Sequence, residues 1–372
     1  MMRPPLINIP NLDCFQTKVR SIFESGTLTS NGPKSRELAD RIAGYLGVEH
    51  VILTSSGTVA LQIAYRALKL QGEVITTPFS WVTTASSLCW VGLKPKFVDI
   101  QPTSFNLDPQ GIEDAITPQT SAILAVHTFG NPSDIDAIEE IAARRGLKTI
   151  YDCAHALGTK YKRKSVLAFG DASVLSLQAT KPFHTVEGGA VILRDKESYR
   201  RALVAANNGL DSEGVVAGLG VNARMSELHA AVGLCLLDKI EEILSRNRSL
   251  GGTLRMRLAQ SSSVELQSMN ADAEVNHAYF AMVTAAPEQR CEVASALESA
   301  GLRPRRYCNP PLNTLAFLGA PSIMPRAESL SKCLICVTLP SHAGLDTLNA
   351  ITRTVAAICP IRNGPVRIEG LK

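Results

Sequence analysis

The sequence predicts an α/β protein: a large domain on a mainly parallel sheet flanked by helices, then a smaller α+β domain. Three observations carry that prediction. Short apolar runs alternate with helix-patterned segments from about residue 34 to residue 245, as in strand–helix–strand crossovers. Beyond that point the order changes to strand, helix, strand, helix. The chain of 372 residues, 45% hydrophobic and 19% charged, is also long enough for two cores, so the expected division is 1–245 and 246–372.

The elements follow in order. "RELADRIAGYLG" (36–47) reads as a helix ended by Gly47, "HVILT" (50–54) as a buried strand, and "GTVALQIAYRALKL" (57–70) as a helix with Val59, Ile63, Ala67 and Leu70 on one side. "EVITT", "KPKFVDI", "AILAVH", "KTIYD", "SVLSL" and "AVIL" continue as strands, separated by helices such as "DAIEEIAARRG" (136–146). A long helical stretch is expected over about 225–258. The second unit then reads "AYFAMVTA" as strand, "EQRCEVASALESAG" as helix, "LICVTL" as strand and "GLDTLNAITRTVAAI" as helix.

Composition narrows the function. The net charge of +4 is too weak and dispersed for nucleic acid, and "KYKRK" (160–164) reads as a turn between strands. No run of eighteen apolar residues indicates a membrane span. The proline-rich start "MMRPPLINIPNLD" lacks the apolar stretch of a signal peptide. Nine scattered cysteines fit reduced, buried thiols in a cytoplasmic protein. Cys333 and Cys336 form a CxxC, but inside the β-like run "CLICVTL", where core packing explains them.

Chemistry gathers at the strand ends, where open parallel sheets bind ligands. After "HVILT" come Ser55, Ser56, Gly57 and Thr58, opening a helix. Gly57 allows close backbone approach, first-turn amides suit a phosphate, and the Thr58 hydroxyl adds a donor. Ser and Thr cap helices routinely, so this signal is weak alone. Trp81 follows "EVITT", a position that core packing would also explain. Asp152 ends "KTIYD"; a carboxylate there is costly to bury unpaired, so it is either exposed or matched to a cation. Ser176 ends the strand "SVLS", and Lys181 follows in "SLQATKPFHTVEGG" (176–189).

A lone loop lysine is ordinarily just solvated; its company changes the reading. Phosphate donors, a carboxylate, an aromatic ring and an amine at one sheet edge fit pyridoxal 5′-phosphate. Its phosphate needs anion donors, its aldehyde an amine, its ring a stacking partner, and its ring nitrogen a carboxylate to stay protonated.

The motifs "LTSNGP", "SSGTVAL", "ITTPFSWVTTASS", "KPKFVDIQPTSFNLD", "VHTFGNP", "YDCAHALG", "SLQATKPFHTVEGGAVI", "GVNARMSELHAA" and "RRYCNPPL", in this order and spacing, are specific over almost the whole length. With them the chain resembles the DegT/DnrJ/EryC1/StrS sugar aminotransferases, within the fold-type I pyridoxal-phosphate enzymes. The resemblance implies that Lys181 is the Schiff-base lysine and general acid/base. It implies that Asp152 partners the pyridine nitrogen, His155 contacts the cofactor's 3-oxygen, and Trp81 covers the ring. Gly57, Thr58 and Ser176 match phosphate contacts, and Asn222 resembles the asparagine that reaches the phosphate from the neighbouring subunit of a homodimer. Gln178 departs from the commoner His or Tyr at its position, and Glu187 fits a turn after the lysine loop.

A related branch carries histidine in place of the lysine and dehydrates its substrate. This chain keeps the lysine, and His184 lies three residues out of register. The resemblance thus implies amino transfer from L-glutamate to a nucleotide-linked keto sugar, at C4 of a dTDP-4-keto-6-deoxyhexose, for surface polysaccharide such as lipopolysaccharide O-antigen. The alternatives are a 3-keto sugar, a GDP-sugar or a cyclitol ketone with the same mechanism, or a non-catalytic cofactor-binding regulator. The complete set of Lys181, Asp152 and Ser176 speaks against the last.

Overall fold

The computed structural model describes residues 7–29, 31–261, 264–339 and 343–359; residues 1–6 of the proline-rich start lie outside them. The large sheet contains β1 (His50–Thr54), β2 (Glu73–Thr76), β3 (Lys94–Phe97), β4 (Thr120–Val126) and β5 (Lys148–Asp152). A small hairpin follows, β6 (Lys160–Tyr161) and β7 (Lys164–Ser165), so "KYKRK" is the turn it was expected to be. β8 (Ala172–Ser176) and β9 (Gly189–Leu193) complete a seven-stranded sheet of order β1-β9-β8-β5-β4-β2-β3.

The pairs β2–β3, β2–β4, β4–β5 and β5–β8 are parallel, whereas β9 runs antiparallel to both β8 and β1. The reversal has a simple cause. Parallel neighbours need a crossover, usually helical, to carry the chain back to the starting edge. Residues 177–188 form no helix and turn at the edge where β8 ends, so β9 enters from that same edge.

The helices on this sheet are α1 (Leu12–Ser25), α2 (Pro33–Leu46), α3 (Gly57–Ala67), α4 (Val82–Trp90), α5 (Ile112–Ala115), α6 (Ile135–Arg145), α7 (Lys196–Ala206) and α8 (Glu227–Leu237). Gly47 and Gly146 close α2 and α6 in the left-handed conformation that glycine adopts without a Cβ penalty. Burial on both faces explains why the strands read as unbroken apolar runs. Ile75, Ile123, Tyr151, Leu175 and Ile192 face α2, α6 and α8, while their neighbours Val74, Leu124, Ile150, Val174 and Val191 face α3 and α7.

The expected helix over 225–258 is two helices, α8 and then α9 (Ile240–Ser261). α8 is buried over nearly all its length, while α9 carries polar residues such as Glu241 and Glu242, so each follows its own environment. A second sheet has the order β10 (Glu265–Leu266), β12 (Tyr279–Val283), β13 (Leu334–Thr338), all antiparallel; β11 (Ala273–Glu274) instead joins the β6–β7 hairpin. α10 (Pro287–Ser299), α11 (Pro325–Cys333) and α12 (Leu345–Ile358) accompany it. One face of this sheet, with Phe280, Met282, Ile335 and Val337, packs on α9, α10 and α12. Its other face, with Tyr279, Ala281 and Cys336, packs on Phe79, Phe105 and Phe129 from the loops of the large sheet. That packing brings the second sheet to the edge where the chemistry is expected.

Cys333 is the last residue of α11 and Cys336 lies in β13; both are buried, in keeping with core packing. The expectation of uniformly buried thiols needs correction. Cys153, Cys235, Cys333, Cys336 and Cys359 are buried, but Cys89 and Cys291 are exposed and Cys14 and Cys308 half-buried. Among the described residues no helix is long and apolar enough to cross a membrane.

Candidate active site

β1, β2, β4, β5 and β8 all end at one edge, and a cavity of about 390 Å³ opens there. Gly57, Thr58, Trp81, Asp152, His155, Ser176, Gln178, Lys181 and Glu187 all line it. The nine positions span 131 residues of sequence (187 minus 57, counted inclusively), so the sheet, not local sequence, assembles them. Asn222 is not part of the lining. It is exposed and accepts a hydrogen bond from Arg224 Nε at 3.1 Å.

The phosphate-type cradle is built by close backbone approach. Ser56 caps α3 by accepting from the Val59 amide at 3.2 Å, which sets the first turn of the helix at the cavity wall. A Cβ on Gly57 would stand 3.1 Å from the Ser176 Cβ. At Gly189 it would meet the Ser56 carbonyl carbon at 2.5 Å and the Gly57 nitrogen at 2.6 Å. This explains Gly189, where the returning chain runs against the start of α3 with no room for a side chain; at Gly188 a Cβ would instead meet Thr185 Oγ1 and Met225 Cε.

The lysine loop is closed by its own bonds. The Lys181 amide donates to the Gln178 carbonyl at 2.9 Å, and Gln178 Oε1 accepts from the Thr180 amide and hydroxyl at 2.9 and 2.6 Å. Gln178 thus shapes the loop that presents Lys181. His184 lies buried beneath it, donating from Nε2 to the Asn8 carbonyl at 2.7 Å and accepting at Nδ1 from the Val186 amide at 3.2 Å. Lys181 Nζ stands 5.3 Å from the centre of the Tyr279 ring. Burial, with Arg305 nearby, lowers this amine to about 8, against the opposing pull of Asp152.

Asp152 is buried, which resolves the sequence alternative. Its Oδ2 accepts from Thr84 Oγ1 at 2.9 Å and its Oδ1 from the Ala154 amide at 3.1 Å. Burial raises its carboxyl above the ordinary range, and those two donors and Lys181 oppose the rise. His155 lies against Tyr279, ring centres 3.9 Å apart, with Phe129 and Tyr307 also in contact. Burial and then the Lys181 charge hold it well below its usual value, so it is neutral. Trp81 is 61% exposed at the cavity mouth, not a core residue. The sequence reading gave no role to Thr84, Tyr279, Arg305 or Tyr307. Thr84 lies within the quoted "ITTPFSWVTTASS" and Arg305 and Tyr307 within "RRYCNPPL", whereas nothing local marks Tyr279.

The donor set fits pyridoxal phosphate on this structure's own terms: a cradle that a Cβ would fill, a buried carboxylate, and a buried amine with lowered proton affinity. A mainly parallel sheet carrying that set at its carboxyl edge defines a fold-type I pyridoxal-phosphate enzyme. The particular family follows from comparison. Residues 13–358 match the DegT/DnrJ/EryC1/StrS aminotransferase family, and the chain belongs to it. It is 38% identical over 358 residues to the dTDP-4-amino-4,6-dideoxy-D-glucose transaminase of Shigella dysenteriae, covering 94% of this chain and 97% of that one. To the Escherichia coli protein of the same name it is 33% identical over 354 residues, covering 93% and 95%. The crystal structure of DesI in the presence of its TDP-sugar product superposes with a TM-score of 0.88 at 33% identity, covering 95% of this chain and 92% of that one. The protein is therefore an aminotransferase of a pyridoxal-phosphate-dependent family.

Proposed function

We propose that this enzyme transfers an amino group from L-glutamate to C4 of a dTDP-linked 4-keto-6-deoxyhexose, in the cytoplasm, for surface-polysaccharide synthesis. The observation that carries the sugar assignment is the likeness over nearly the full chain to two transaminases named for dTDP-4-amino-4,6-dideoxy-D-glucose. The cavity supports the chemistry.

Pyridoxal phosphate, when bound, supplies an electrophilic carbonyl carbon and an electron-withdrawing ring. In this reading Lys181 holds it covalently through Nζ. Once an incoming amine has displaced it, the freed Nζ, with its proton affinity lowered, would take a proton from the substrate carbon and return it at the adjacent position. Asp152 holds a proton on the ring nitrogen through a carboxylate fixed by Thr84 and the Ala154 amide. Gly57, Thr58 and Ser176 would bind the phosphate, Trp81 would stack on the ring, and neutral His155 would contact the 3-oxygen. Asn222 completes the phosphate site from the neighbouring subunit of a homodimer. The exposed apolar residues Val215, Val216, Leu219 and Val221 just before it are the kind of surface a second copy covers. Residues 1–245 supply the sheet edge, and residues 246–372 supply Arg305 and Tyr307.

The test supplies the loaded enzyme with L-glutamate and a dTDP-4-keto-6-deoxyhexose. The reading expects a 4-amino product by NMR, with one 2-oxoglutarate formed per amine. A relative from Pseudomonas aeruginosa, 33% identical over 324 residues, is named UDP-2-acetamido-2-deoxy-3-oxo-D-glucuronate aminotransferase. A UDP-linked 3-keto sugar is therefore the comparison substrate. Turnover of that sugar alone would overturn the sugar assignment and leave amino transfer standing.

A further inference from the structure

Asn8 of the amino-terminal arm is tied to the lysine loop. Asn8 Nδ2 donates to the Pro182 carbonyl at 2.7 Å, and the Asn8 carbonyl accepts from His184 Nε2 at 2.7 Å. Three residues later Asn11 caps α1, its Oδ1 accepting from the Cys14 amide at 2.9 Å. α1 itself is lightly held: Ile22 is its one buried residue, while Leu12 and Phe23 are 65% and 62% exposed. Its first turn, however, puts Cys14 Sγ 2.6 Å from Cys235 Sγ of α8, across 221 positions of sequence.

We infer that Cys14 and Cys235 form a reversible disulfide that staples α1 to α8 and so locks the arm that holds the Lys181 loop. The oxidant is a low-molecular-weight disulfide, and the exchange balances in two steps. The Cys14 thiolate attacks one sulfur of the oxidant, breaks its S–S bond and expels one small thiolate. Cys235, deprotonated as it reacts, then attacks Cys14 Sγ, forms the protein disulfide and expels the second small thiolate. The two protein sulfurs lose two electrons, the oxidant gains them, and the two protons pass to water and the expelled thiolates.

The order of attack follows from the setting. Cys14 is half-buried and open to the oxidant, whereas burial and the neighbouring Cys14 push the Cys235 thiol up to about 12. In a reducing cytosol the pair stays as two thiols, which makes the staple conditional on oxidative stress. A staple has most to add where an element is otherwise weakly held, as α1 is. By restricting opening of α1 it restricts opening of the Asn8 contacts as well.

The inference is independent of the sugar assignment, and its test does not read activity. Cofactor-loaded full-length protein is equilibrated with oxidised glutathione, then analysed by intact mass, peptide mapping and amide hydrogen exchange. The expected result is loss of two hydrogens and a cross-linked peptide holding Cys14 and Cys235. Exchange at Phe183, His184 and Val186 should slow by roughly threefold or more, and dithiothreitol should reverse it. Cys14→Ser, at a half-buried position that tolerates the change, should show neither effect. Glutathione adducts on exposed Cys89 and Cys291 are separated by the map. Cys14 remaining free, stopping as its glutathione adduct, or pairing with Cys235 while exchange in the loop is unchanged would each overturn the proposal.

Discussion

Thr84 donates its hydroxyl to Asp152 at 2.9 Å, joining the first turn of α4 to the end of β5 inside the cavity wall. Ser80 Oγ lies 2.7 Å from the same hydroxyl, so the carboxylate is oriented by a short buried chain of oxygens. In the proposed role Asp152 holds a ring proton, which needs a fixed direction, and Thr84 gives it one. Thr84→Val keeps the shape and removes the donor. Steady-state turnover of that variant should fall about 10-fold, the cost of losing a hydrogen bond to a charged group, while Thr84→Ser keeps most of it. Asp152→Asn should retain the cofactor and lose on the order of 100-fold or more in kcat. Equal rates for Thr84→Val and wild type would mean that the contact is only packing.

The cradle makes a second prediction through a pair of glycines. Gly189→Ala places a methyl 2.5 Å from the Ser56 backbone, which cannot give way without moving the start of α3. Overpacking of this kind costs about 1–3 kcal/mol, and pyridoxal-phosphate affinity should drop about 10-fold or more by fluorescence titration. Gly252→Ala in α9, with no atom within 4 Å of its Cβ position, should be neutral or slightly stabilising. Should both variants bind cofactor like wild type, the close crossing of β9 on α3 is not what shapes the site.

pH dependence follows from the lowered Lys181 amine. Its value of about 8 in the fold lies below the usual 10.5, so the folded state disfavours the protonated form. Between those values the unfolded chain binds more protons, so stability rises with pH through that window; below it the protonated buried amine carries its full cost, and above it none. Capture of pyridoxal phosphate by the apo-protein needs the neutral amine. Its rate should climb about tenfold per pH unit well below 8 and level off above it. Stopped-flow measurement of the visible band checks this; a midpoint above pH 10 would show that burial leaves the amine unperturbed.

Much of this was legible in the sequence because burial on both faces writes strands as plain apolar runs. "HVILT" and "KTIYD" coincide with β1 and β5 residue for residue. The strand ends, and hence the edge carrying Gly57, Asp152 and Ser176, came with them. The reversal of β9 was not legible, since residues 177–188 carry no pattern that tells a return loop from a crossover. The break between α8 and α9 was hidden because Asp238 and Lys239 include neither glycine nor proline. Trp81 shows the limit for orientation: its place after β2 was evident, but not that it stands at the mouth instead of in the core. Tyr279 reaches Lys181 only through packing of the second sheet on Phe79 and Phe129, contacts between segments 200 and 150 residues apart, which no local motif records.

Lys181, the amine over Tyr279 at the carboxyl edge of the sheet, is the residue proposed to carry the cofactor. Borohydride reduction of the cofactor-loaded protein, followed by peptide mapping, tests it most directly. A phosphopyridoxyl group is expected on the peptide containing Lys181, and none on that peptide in Lys181→Ala. A label on a different lysine in the wild-type protein, with Lys181 unmodified, would contradict it.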